Sequence, residues 1–172
     1  MRLAAHGISV DLPRGWEGTI ARERDSIAGL DLRARGRALP EAAAAAVEQS
    51  RVFPVAHLAT FPLPAARNDF GANAVERMGK ADVFVSLLEY DPIEADSPLF
   101  EHRGLPRRLD PRRFSARQLQ RTLPGQAGFQ LFFNEGGRAF CLYVVLGDAD
   151  DAHRLVRRVE AVLAKLRIEM RR

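Results

Sequence analysis

The stretch that most restricts the fold runs from Arg138 to Leu146. Phe140, Leu142, Val144 and Leu146 alternate with Ala139, Cys141, Tyr143 and Val145, so both faces are apolar. A strand with one face in water alternates apolar with polar; one that is apolar on both faces needs cover on both and belongs mid-sheet. Just upstream, Phe129-Gln130-Leu131-Phe132-Phe133 has the aromatic and branched side chains strands favour. Asn134-Glu135-Gly136-Gly137 between them is a turn, with glycines able to take positive φ. Downstream, Asp148, Asp150 and Asp151 offer helix-capping oxygens. Ala152, Leu155, Val156, Val159, Val162, Leu163 and Leu166 then recur at three- and four-residue steps. The pattern predicts a β-hairpin followed by one long amphipathic helix reaching about Ile168.

Earlier segments are read from shorter signals. Gly7 to Leu12 alternates and ends at the turn Pro13-Arg14-Gly15, and Trp16 to Arg24 resumes as a strand. Ile27 to Arg35 predicts a third, giving an antiparallel meander. Pro40 to Ser50, with proline at the start and a run of alanines, predicts a short helix. Val52 to Phe61 is extended, with Pro54 at an edge or strand start. Asn68 or Asp69 is placed to cap a brief helix over Ala72 to Met78. Asp82 to Tyr90 is a strand apolar on both faces, and Asp91 to Pro111 a long polar surface loop. Ser115 with Gln118 makes a capping-box pattern that predicts a short helix ahead of Leu119 and Leu123.

Length suits one domain: 172 residues can bury about 70% of their unfolded surface. No apolar run is long enough for a membrane helix and no secretory signal opens the chain, which favours the cytoplasm. Cys141 is the one cysteine, so no intrachain disulfide or thiolate zinc site can form. The net charge is +4, and of 26 basic residues only Lys80 and Lys165 are not arginine. Such a surplus resembles a compositional background, so only its clustering is informative.

It clusters in one place. Arg103, Arg107, Arg108, Arg112, Arg113, Arg117 and Arg121 fall within nineteen residues, and Arg113, Arg117 and Arg121 would line one side of a helix. Arginine forks match carboxylate and phosphate oxygens in pairs, so the cluster could grip an acidic partner or a phosphate; the alternative is a solvated face. Glu89, Asp91, Glu94 and Asp96 just before it read as an acidic loop or as local ion-pair partners for those arginines. His6, His57, His102 and His153 show no metal spacing, and no GxSxG, P-loop or GxGxxG is present. Trp16 reads as a core or sheet-edge anchor, and Gly125-Gln126-Ala127-Gly128 as a turn.

The strand leading into Pro13-Arg14-Gly15-Trp16, together with the final hairpin and helix, resembles the Mog1/PsbP-like fold. That resemblance covers about a third of the chain and implies an antiparallel sheet sandwiched between helices, and an accessory module that docks to partners. The expectation is therefore an α+β domain, mainly antiparallel sheet sandwiched by helices. It would be non-catalytic, without cofactor or metal, and bind a protein partner through the charged loop and arginine helix. A nucleic-acid or phosphate binder using the same arginines is the rival, and an enzyme built on His57 or Glu89 a more distant one. A sheet face left uncovered by helices would invite a second copy of the chain.

Overall fold

In a computed structural model, residues 1–22 and 53–170 are described; the strand expected over Ile27–Arg35 and the helix over Pro40–Ser50 lie outside them. The hairpin forms in the expected place. Strands β6 (Ala127–Glu135) and β7 (Arg138–Leu146) pair antiparallel from Glu135↔Arg138 to Ala127↔Leu146. Gly136 and Gly137, at φ +61° and +75°, close it with the two-residue turn whose twist matches the strands. β5 (Val83–Glu89) takes the other side of β7, followed by β4 (Pro54–Ala59) and β3 (Glu17–Arg22), in the order β3-β4-β5-β7-β6. Every residue of β7 is buried, Val144 and Val145 alike. Pro54 stands at the start of β4, where its missing N–H is tolerated.

One face of this sheet is covered by regular structure. Helix α1 (Ala152–Leu163) buries Ala152, Leu155, Val156, Val159, Val162 and Leu163 against Val85, Leu87, Leu142 and Val144. Each such aliphatic side chain contributes about 1.5–3 kcal/mol of hydrophobic stabilisation. Beside it lies a three-stranded sheet of β1 (Arg2–Ala5), β2 (Ile8–Asp11) and β8 (Leu166–Ile168), whose Ile8, Val10 and Leu166 join the same core. The apolar periodicity runs on through Leu166, but the helix ends at Leu163. From Leu166 the backbone is claimed by β2, in the register Val10↔Leu166 and Ile8↔Ile168. The opening meander is also corrected: β2 pairs with β1 through the His6–Gly7 turn, and β3 pairs with β4 in the other sheet. Pro13-Arg14-Gly15 therefore carries the chain between sheets, with Trp16 buried.

The second face overturns the expected sandwich by helices. Phe84, Leu88, Cys141, Tyr143 and Val145 are covered by Phe61, Ala74 and Val75, with the half-buried Phe70, Met78, Leu119 and Leu123. These come from irregular chain and short 3₁₀ turns. The protein is mostly β, two antiparallel sheets of three and five strands, and α1 is the one α-helix among the described residues. Local geometry explains why the expected Ala72–Met78 helix is absent. Asn68 Oδ1 accepts the amides of Phe70 and Ala72, and Gly71 and Asn73 take φ of +81° and +72°, which a right-handed helix cannot contain. A Cβ on Gly71 would stand 2.5 Å from the Phe84 ring, so this strap lies flat on the sheet. Only Val75–Arg77 makes a 3₁₀ turn. The face is covered without helices, so it is not left bare for a second copy.

Candidate functional site

The arginine segment is not a helix and not a free loop. From Tyr90 the chain makes 3₁₀ turns over Pro92–Asp96 and Pro98–Phe100, each opened by proline. Phe100, Leu105 and Leu109 are buried, and so is Phe114 just beyond, so what reads as a polar surface loop is pinned to the body along its length. Leu105, Leu109 and Phe114 pack on the α1 side of the sheet, whereas Leu119 and Leu123 pack on the other. Residues 105–123 thus wrap around the outer edge of β6. At that edge Ser115 and Gly128 exchange backbone hydrogen bonds of 2.9 and 3.0 Å. This bridge holds Ser115 extended, at φ −154° and ψ 161°. Its N–H, donated to Gly128, is not free for the Gln118 side chain as a capping box requires; Ser115 makes no side-chain cap, and only a 3₁₀ turn over Ala116–Gln118 follows.

The seven arginines consequently do not share one face. Arg107 donates through Nη1 to the carbonyls of Leu163 and Leu166, closing the C-terminal end of α1; burial lowers its pKa. Arg108 pairs with Glu160 at 3.2 Å, whose other oxygen accepts Leu109 N–H. Arg112 grips its neighbour Asp110 with Nε and Nη2, and those bonds hold the Asp110 carboxyl down at about 2. Arg121 pairs with Glu76 at 3.2 Å. Arg113 lies over the Phe129 ring, its Cζ 5.2 Å from the centroid. Arg103 and Arg117 are exposed, and neither side chain has a hydrogen-bond or ion-pair partner among the described residues.

The acidic residues that precede the segment do not neutralise it. Asp91 accepts Ile93 N–H and caps a 3₁₀ turn. Glu89 is buried and paired with Arg138: Nε to Oε1 at 2.9 Å and Nη2 to Oε2 at 2.6 Å. The remaining N–H groups of Arg138 go to the carbonyls of Gly7, Glu169 and His6. All five donors are used, and the pair ties the end of the small sheet formed by the His6–Gly7 turn and Glu169 to the large one. Nothing in the sequence marks this pair, because its members lie 49 residues apart.

The groups that would serve an enzyme are likewise engaged. His57 and Ser86 face each other across β4 and β5, yet both donate to the backbone carbonyl of Asp69, at 2.9 and 2.5 Å, and not to one another. Arg67 Nε donates to His57 Nδ1 at 3.0 Å, which requires the neutral imidazole; burial pushes His57 down to about 4. Cys141 is buried and its thiol is pushed up to about 12 by that burial, the opposite of a reactive thiolate. A surface depression of about 560 Å³ is lined by Pro64, Ala65, Ala66, Asn73, Glu76 and Arg77. Another of about 280 Å³ has the Glu89–Arg138 pair in its wall. His57 borders neither. Among the described residues no group of three His, Cys, Asp or Glu is placed to hold a metal ion, and no helix is long and apolar enough to cross a membrane.

No family model, no curated protein and no solved structure matches this chain. The likeness to the Mog1/PsbP-like group accordingly rests on the two sequence stretches alone.

Proposed function

We propose that this protein is a non-catalytic interaction module that grips an acidic surface of a partner protein through the 103–121 segment. The observation that carries the reading is a division of labour among the arginines. Arg107 is spent on closing α1, and Arg108, Arg112 and Arg121 already hold carboxylates. Arg103, Arg113 and Arg117 are exposed on the same wrapped segment without an acidic partner among the described residues. Buried Phe100, Leu105, Leu109 and Phe114 hold that segment in place, so little ordering entropy would be lost on docking. Uncompensated guanidinium groups on an anchored segment favour a partner rich in carboxylates and speed its encounter. Nucleic acid fits less well, because Phe100 and Phe114, the neighbouring aromatics, are buried and give bases nothing to stack on.

The test is capture from the native host with the wild type beside a variant carrying Arg103→Ala, Arg113→Ala and Arg117→Ala. The wild type should retain an acidic protein in low salt and lose it in high salt, and the variant should not retain it. Identical captured proteins on both baits would refute the reading. Tight binding of DNA with a steep salt dependence would replace it with the nucleic-acid one.

A further inference from the structure

We propose that the partner supplies an extended acidic segment that adds as a strand to the outer edge of β6, at Gln130 and Phe132. This rests on the acidic-partner reading above and names where and how that partner is held. β6 is the last strand of the five-stranded sheet, and its outward groups follow from the register. Gly128 and Asn134 turn their backbones away from β7: Gly128 exchanges bonds with Ser115, while Asn134 accepts Gly104 N–H at 2.7 Å and donates to His102 at 2.8 Å. By two-residue alternation, the N–H and C=O of Gln130 and Phe132 point the same way. Among the described residues these four groups have no partner.

An edge like this is what proteins ordinarily cover, since a row of open donors and acceptors recruits another chain. Here the molecule's own backbone covers both ends and leaves the middle open. From Gly128 to Asn134 the strand spans about 20 Å, and the interval between the two bridges admits a short strand of about three residues. Its surroundings are cationic. Arg103 sits at the bridge with Asn134, Arg113 lies over Phe129 next to Gln130, and Arg117 follows the Ser115 bridge by two residues. The Phe132 ring is fixed against Phe100 at 5.4 Å and Tyr90 at 6.0 Å, so the edge is rigid. Backbone bonds would give affinity with little regard to sequence, and the flanking arginines would select for carboxylates.

The probe is an acetylated, amidated Glu-Val-Glu peptide, sized to the gap, with a Lys–Val peptide (Lys-Val-Lys) as control, added to the full chain at low salt. Amide exchange is followed residue by residue. The amides of Gln130 and Phe132 should exchange fast in the free protein and at least about tenfold slower with the acidic peptide. The Lys–Val peptide should leave them unchanged. Gln130→Pro removes an outward N–H but no bond to β7, so the fold should survive, and binding should weaken about tenfold or more. Should that variant not fold, the wild-type exchange pattern still decides. If the acidic peptide binds through Arg113 and Arg117 while the two amides exchange as before, the strand addition is wrong and the arginine reading stands. Equal protection by the Lys–Val peptide removes the preference for acid. No binding by either peptide overturns the strand addition, and the capture experiment then judges the arginines on their own.

Discussion

The two faces of the five-stranded sheet are covered in different ways, and each way brings its own kind of buried polar group. On the α1 side the cover is mostly regular structure, which satisfies its own backbone, with Leu105, Leu109 and Phe114 of the wrapping segment beside it. The polar residues there, Glu89 and Arg138, form a charged pair at the margin that joins two sheets. On the other side the cover is the irregular strap from Phe61 to Met78, whose carbonyls have no ladder to enter. The sheet must provide the donors, and His57 and Ser86 do so from the middle of otherwise apolar strands by binding Asp69 O. Irregular cover therefore places neutral donors in the sheet, whereas regular cover confines polarity to its border. A buried histidine beside a buried serine is, in this molecule, the consequence of an unladdered strap.

The sharpest way to break that comparison is to leave one charge of the border pair alone. Glu89→Ala leaves the buried Arg138 guanidinium without a counter-charge and should destabilise the protein by about 3–5 kcal/mol, read from denaturant midpoints. Replacing both, with Glu89→Leu and Arg138→Met, should recover only part of this loss. A simple buried pair can be exchanged for apolar groups almost without penalty, but Arg138 also serves the carbonyls of His6, Gly7 and Glu169. Full recovery in the double variant would mean that those three bonds contribute nothing and that the small sheet is held by its apolar side chains alone.

The strap side should answer to pH through His57. Burial lowers His57 from 6.5 to about 4, against the opposing bond to Asp69 O, and Arg67 adds to the lowering. A base held neutral in the folded state but protonated in the unfolded one stabilises fully above about 6.5. Stability then falls as the pH drops from there to about 4, because the unfolded chain binds the proton first. The loss over that window should be about 3 kcal/mol. His57→Gln keeps a donor for Asp69 O without a titrating ring, and its stability should be flatter over the same interval. A wild-type profile as flat as that of the variant would show that the imidazole is not held neutral by the strap.

How much of this could be read in the sequence follows the same line. The regular side was legible: the two apolar faces of β7, the paired glycines of the turn and the stripe on α1 are local periodicities. The strap was not, since it has no period and its fixing bonds join residues 12 and 17 apart. The capping-box pattern at Ser115 was a true local signal overruled by a tertiary one, the bridge to Gly128. For the arginines the sequence showed their number and spacing. It could not show that Glu160 and Glu76, 52 and 45 residues away, meet two of them, nor that the segment turns around a sheet edge and so splits the cluster between two faces.

That split makes the smallest of the predicted effects the most discriminating one for the arginines. Arg107 belongs to the regular side: its guanidinium takes the carbonyl of Leu163, which the end of the helix leaves open, and that of Leu166 at the start of β8, and its positive charge stands at the negative end of the dipole. Arg107→Ala should therefore lower stability by about 1 kcal/mol. Arg117 holds nothing among the described residues, and Arg117→Ala should change stability by less than about 0.5 kcal/mol. The order should invert for partner capture, where loss of Arg117 weakens retention and loss of Arg107, in a protein kept folded, does not. Thermal midpoints of the two variants measured beside their capture yields separate the roles. Equal destabilisation by both would mean that Arg117 is structural too, and the guanidinium groups left over for a partner would shrink to Arg103 and Arg113.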